Sequence, residues 1–128
     1  MGKILLVEDE MTEAKMLEYV LAKNDHSVVC VVNGEEALKA LAKHNNIDLI
    51  ISDINMDKMT GIELKKHINK DEKLKRIPFI FLTSIVDDHT EDQCRDLGCS
   101  LYLLKPFVKF DIAKKVAQVL SLKSFNTY

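Results

Sequence analysis

The chain of 128 residues is 47% apolar and 30% charged, which suits one globular domain with a real core and excludes collagen-like, low-complexity and wholly disordered classes. Its net charge of −2 offers no basic footprint for a phosphate backbone or an anionic membrane, so neither nucleic acid nor membrane is an expected partner. No apolar run approaches the roughly 18 residues of a membrane span, the run after Met1-Gly2-Lys3 is too short for a signal peptide, and three cysteines without C-x-x-C spacing suit a reducing compartment; the expected location is cytoplasmic.

Short apolar runs alternate with helical spacing along the chain. Ile4–Val7 predicts a buried strand, and Met11–Lys23 a helix with apolar residues three and four apart. Val28–Val32 with Glu35–His44, and Ile47–Ile51 with Gly61–Lys70, predict the next two strand and helix pairs. Phe79–Leu82 with Asp88–Leu97, and Leu101–Leu104 with Lys109–Leu122, complete the series. Asn33-Gly34-Glu35-Glu36 and Thr60-Gly61-Ile62-Glu63 have the form of capping boxes, and Gly98 stands where a left-handed residue would close the fourth helix. Strict βα alternation dictates a parallel sheet with right-handed crossovers and helices on both faces. The expectation is an α/β fold: a five-stranded parallel sheet, doubly wound with five helices in three layers, in the common order 2-1-3-4-5. These elements make residues 1–122 one domain and leave 123–128 as a C-terminal tail or linker stump.

Open parallel sheets bind ligands beyond the carboxyl ends of their strands. The first strand runs into Glu8-Asp9-Glu10, the third into Ser52-Asp53, the fourth into Thr83-Ser84 and the fifth into Lys105-Pro106. In the order 2-1-3-4-5 the first and third strands are neighbours, so Asp9 comes near Asp53. Two carboxylates about 4 Å apart repel by roughly 4 kcal/mol at an effective dielectric near 20, so the cluster must protonate, spread or take a cation. Oxygen-only ligands favour Mg²⁺ or Mn²⁺, and Mg²⁺ keeps positions open for water and phosphate oxygens. A carboxylate held ionised in this way can attack phosphorus, with Lys105 and Thr83 as donors to the developing charge.

Other readings fail on spacing. The string beginning Asp53-Ile54-Asn55-Met56-Asp57 lacks the glycine and terminal glutamate of a calcium loop, since Lys58 and Leu64 fill those positions. No P-loop and no G-x-G-x-x-G is present. His89 and Cys94 lack further ligands at zinc spacing, so Cys30, Cys94 and Cys99 read as small core residues. His26, His44, His67 and His89 fall away from the carboxyl rim and read as surface or helix-face residues.

With those residues in view, the chain resembles the receiver domain of two-component response regulators, of single-domain chemotaxis type, over about residues 3–121. Lys3 to Glu10 looks like the opening strand and acidic pair, and Asp48 to Met56 like the phosphoacceptor strand. Met59-Thr60-Gly61 looks like the following loop, Leu82-Thr83-Ser84 like the hydroxyl position, and Gly98 to Phe107 like the closing signature. The resemblance implies that Asp53 takes a phosphoryl group from a histidine kinase or histidine phosphotransfer protein. It implies that Asp9, Asp53 and the Asn55 backbone carbonyl hold Mg²⁺, with Glu8 acting through water. It implies that Lys105 pairs with the acceptor and then with the phosphoryl oxygens, and that the Lys105–Pro106 bond is cis. Thr83 and Tyr102 would form the switch, and the fourth helix, fifth strand and fifth helix the surface shown to a downstream target, by a monomer or a weak phosphorylation-dependent dimer. Such a domain is no enzyme beyond its own phosphorylation and dephosphorylation.

Asp57 stands where that family usually has proline, Ser84 where a small apolar residue is usual and Cys99 where alanine is common. Two alternatives follow. One is a receiver-like interaction domain that signals without phosphate, and the other a Mg²⁺-dependent phosphatase, which would need a D-x-D spacing absent here.

Overall fold

The computed structural model describes residues 2–126, with side chains through Leu122. The elements are β1 (Lys3–Val7), α1 (Met11–Lys23), β2 (Ser27–Val31), α2 (Gly34–Lys43), β3 (Leu49–Ser52), α3 (Gly61–Asn69), β4 (Phe79–Thr83), α4 (Asp88–Asp96), β5 (Leu101–Leu104) and α5 (Lys109–Asn126). The strands form one parallel sheet in the order β2-β1-β3-β4-β5. That is the expected α/β architecture, and α1 has the bounds read from its spacing. A 3₁₀ turn over Leu74–Arg76 precedes β4, an element too short for apolar spacing to announce. α5 continues past the Leu122 end that its spacing predicted; Thr127 and Tyr128 of the anticipated tail lie outside the described residues.

Each strand sends alternate residues to opposite faces. Leu5, Val7, Ile50, Phe79, Phe81 and Tyr102 pack with Ala37, Leu41, Leu64, Ile68 and Cys94, which sets α2, α3 and α4 on one face. Ile4, Leu6, Leu49, Ile51, Ile80 and Leu82 pack with Leu17, Val20, Leu21, Ile112, Val116 and Val119, which sets α1 and α5 on the other. Burial on both faces explains why the strands read as continuous apolar runs rather than alternating ones.

Helix ends follow local chemistry. Thr60 and Glu63 form a complete capping box: the Glu63 N–H donates to Thr60 Oγ1 at 3.1 Å and the Thr60 N–H to Glu63 Oε1 at 3.0 Å. At α2 the box is half made, because Glu36 N–H donates to Asn33 Oδ1 while the Glu36 carboxylate accepts from Val32 N–H instead of Asn33. α4 closes in a Schellman turn with Gly98 at φ +89°, its N–H on Arg95 C=O and the Cys99 N–H on Cys94 C=O.

The same turn closes α1 and corrects one expectation. Asp25, at φ +67°, takes the left-handed position, and the His26 N–H bonds Leu21 C=O at 3.1 Å. His26 is therefore the residue that folds back over the helix end, and it is buried rather than on a surface or helix face. The cysteines also divide: Cys94 is buried and Cys99 half-buried, but Cys30 is exposed, because its side of edge strand β2 has only partial cover.

Candidate functional site

Register assembles the rim. Val7 pairs with Ser52, so Glu8 and Asp53 leave neighbouring strands at the same level. The Asp53 N–H donates to Val7 C=O at 3.1 Å and the Glu8 N–H to Val31 C=O at 3.0 Å, which pins both residues to the sheet. On the other side Thr83 pairs with Leu104, and the Lys105 N–H reaches Thr83 C=O at 2.8 Å. The Lys105–Pro106 peptide is cis.

One carboxylate oxygen each from Glu8, Asp9 and Asp53 lies within 4.8 Å of the other two. Glu8 is buried, Asp53 half-buried and Asp9 exposed, so the cluster has a floor and an open mouth. Asp53 Oδ1 accepts the Ile54 N–H at 2.6 Å, and Oδ2 accepts from Lys105 Nζ at 3.1 Å. Lys105 Nζ also donates to Glu8 Oε1 at 2.9 Å and pairs with Glu13 Oε2. Burial pushes the Glu8 carboxyl up to about 7, against the Lys105 hydrogen bond and the Glu10 N–H, with the Asp53 charge adding to the rise. Burial disfavours the charge on Lys105 too, but hydrogen bonds from its ammonium to Glu13, Glu8 and Asp53 outweigh it and hold the group above the ordinary lysine range.

Asn55, whose carbonyl was expected at the metal, is exposed just beyond Asp53. The loop there is held by Gly61: its N–H bonds Ile54 C=O at 2.9 Å, and an added Cβ would stand 2.1 Å from the Asp53 carbonyl oxygen. Only glycine permits that approach, which is how α3 starts directly against the site strand. Lys58, at φ +68°, completes the turn. Asp57 and Ser84, the departures noted in the sequence, are both exposed.

Thr83 is fully buried, and its Oγ1 accepts the Ile85 N–H at 3.2 Å. Tyr102 is buried as well, its hydroxyl donating to Ile85 C=O at 2.9 Å and its ring 6.5 Å from that of Phe81. Burial pushes the Tyr102 phenol up to about 12, so the hydroxyl stays protonated and a donor. Both residues meet at the segment that leads from β4 into α4. Sequence reasoning placed neither the Ile85 carbonyl nor Glu13. The clue to Glu13 was its position in the first turn of α1, directly after the acidic run, where a long side chain overhangs the rim.

The oxygen-only set of three converging carboxylates fits a hard divalent cation and offers no thiolate or imidazole to a softer one. Among the described residues no helix is long and apolar enough to cross a membrane.

A family model described as the response regulator receiver domain matches residues 4–117. A two-component response regulator of rice, ORR5, is 30% identical over 91% of this chain and 87% of its own length. The polar-differentiation response regulator DivK of Brucella anthropi is 31% identical over 80% of this chain and 83% of its own. A probable transcriptional regulator of Pyropia yezoensis, ycf29, is 41% identical over 82% of this chain, which spans only 47% of that relative's length. Among solved structures, the chemotaxis protein CheY4 of Vibrio cholerae superposes with a TM-score of 0.86 at 30% identity, covering 93% of this chain and 98% of that one. The receiver domain of a Syntrophus aciditrophicus signal transduction histidine kinase gives 0.87 at 33% identity, over 94% and 91%. On this match and on the strand order that carries the rim, the chain belongs to the receiver domains of two-component response regulators.

Proposed function

We propose that this receiver accepts a phosphoryl group on Asp53 from a phosphohistidine of a kinase or phosphotransfer protein. The observation that carries the reading is the convergence of the Glu8, Asp9 and Asp53 carboxylates within 4.8 Å beside the Lys105 ammonium. An Asp53 carboxylate oxygen attacks phosphorus as the P–N bond of the donor breaks; the electron pair leaves with the imidazole nitrogen, which takes up a proton. Asp9, Asp53 and the Asn55 carbonyl would hold Mg²⁺ directly, and Glu8 through water. The ion supplies charge neutralisation for the crowded carboxylates and for the transferring oxygens. Lys105 pairs with Asp53 beforehand and donates to the phosphoryl oxygens afterwards.

Output would run through the β4–α4 segment. The Thr83 hydroxyl is one of the polar groups next to the rim and is bonded to the Ile85 N–H, while Tyr102 is bonded to the carbonyl of the same residue. A hydroxyl drawn toward the phosphoryl group would loosen Ile85 and with it the α4–β5–α5 surface offered to a target protein. Tyr102 is already turned inward here, so phosphorylation would shift a population that includes this arrangement rather than create it.

Incubation with acetyl phosphate and Mg²⁺ should add one phosphoryl group per chain by intact-mass measurement. None should be added with excess chelator or to Asp53→Asn. An unlabelled wild type, or a labelled Asp53→Asn of equal yield, contradicts the reading.

A further inference from the structure

A lysine ammonium has three N–H donors and accepts nothing. Three carboxylates surround that of Lys105: Glu8 Oε1 at 2.9 Å, Asp53 Oδ2 at 3.1 Å and Glu13 Oε2. Glu8 and Asp53 belong to the rim, but Glu13 comes from a helix and has no place in the chemistry described above. Its position is informative. Glu10 is the N-cap of α1, and Glu13, three residues on, stands where a glutamate ordinarily turns back to the N-cap backbone N–H. Here the Glu10 N–H donates to Glu8 Oε2 at 3.2 Å, while the Glu10 side chain accepts from the Thr12 and Glu13 N–H groups. The helix start therefore makes no demand on the Glu13 carboxylate, whose Oε2 is buried against Lys105.

We propose that Glu13 is a latch on Lys105: in the unphosphorylated protein it draws the ammonium to the α1 side of the rim, and it must let go before Lys105 can serve a phosphoryl group. This rests on the phosphoacceptor reading of the site. Phosphoryl oxygens that draw the ammonium pull it off its present partners; Asp53 becomes the acyl phosphate and goes with the group, so the partner to give way is Glu8 or Glu13. The Glu8 side chain is 2% exposed, whereas that of Glu13 is 36% exposed, so that its buried Oε2 reaches water once the side chain swings off Lys105. An anion left without its cation is costly where it is buried and cheap where it is solvated, so Glu13 is the partner released. Release frees a carboxylate on the first turn of α1, and the α1 surface reports the state of the site along with α4, β5 and α5. Glu13 touches no reacting atom; it is a positioning residue.

Glu13→Gln keeps the shape and removes the charge. It should accept phosphoryl groups from acetyl phosphate about 2- to 5-fold faster than wild type, the scale of a half-exposed ion pair. In a Lys105→Met background the same substitution should change nothing, because the latch has nothing to hold; mere loss of a negative charge near Asp53 would speed both backgrounds alike. A second readout needs neither metal nor donor: in ¹⁵N-lysine-labelled protein, the Lys105 ammonium protons should exchange with water faster in Glu13→Gln. An unchanged rate, equal acceleration in the Lys105→Met background, or unchanged ammonium exchange overturns the latch. A wild type that takes no phosphoryl group at all instead overturns the acceptor reading, and the exchange measurement then still decides whether Glu13 holds Lys105.

Discussion

Glu8 is the residue at which a proton and the proposed cation would compete. Its carboxyl titrates near 7 because it is buried, and Lys105 only partly compensates. A folded value above the unfolded 4.5 means that the metal-free fold binds this proton more tightly than the open chain does, so the residue's contribution to stability is present below 4.5 and lost as pH rises through about 7. A divalent cation needs the ionised form, so the two compete for the site. Mg²⁺ affinity measured by calorimetry should therefore rise from pH 6 to pH 8 and level off above it, with proton release in the lower part of that range. In Glu8→Gln the same slope should be flat. An affinity in the wild type that ignores pH across this interval would contradict the assignment. The convergence of Asp9, Asp53 and Lys105 was legible in the sequence because each closely follows an apolar strand, where strand order alone decides proximity. Glu13 was not, since its contact depends on how α1 leans over the sheet edge and on which side chain caps it, neither of which periodicity records.

Among the elements, α3 is fastened to the site through the backbone of Asp53 itself. Its start is defined twice, by the Thr60–Glu63 capping box and by Gly61 lying against the Asp53 carbonyl. These can be separated. Thr60→Ala removes the cap alone and should cost about 1 kcal/mol. Gly61→Ala pushes a methyl group into the backbone of Asp53, where nothing flexible can yield; it should cost about 1–3 kcal/mol as overpacking and weaken Mg²⁺ binding as well. Urea unfolding and calorimetry on the two variants check this, and a Gly61→Ala protein that matches Thr60→Ala in both would contradict the close approach. Strand and helix positions were readable because both faces of the sheet are covered and every strand is an apolar run. Helix ends were readable where a side-chain cap or glycine marks them, as at Thr60 and Gly98. The end of α1 was less so: Asp25 does the work usually given to glycine, and the inward turn of His26 follows from that backbone conformation rather than from its own polarity.

At the scale of the whole molecule, the topology joins two functions that pull in different directions. A sheet buried on both faces gives a rigid floor, and the change of winding direction between β1 and β3 opens a crevice at its carboxyl edge. Into that edge the fold brings the Glu8, Asp9 and Asp53 carboxylates, which repel one another and stand beside one lysine. Beside it, Thr83 and Tyr102 both bond the backbone of Ile85, the path by which the proposed reaction would reach the surface. The central claim is that the carboxylate of Asp53, and no other in the cluster, becomes the acyl phosphate. The most direct measurement is to phosphorylate the chain with acetyl phosphate and Mg²⁺, reduce it with borohydride, which converts an aspartyl phosphate to homoserine, and sequence the peptides. The account predicts homoserine at position 53 alone; homoserine at position 9 or 57, or at no position, would contradict it.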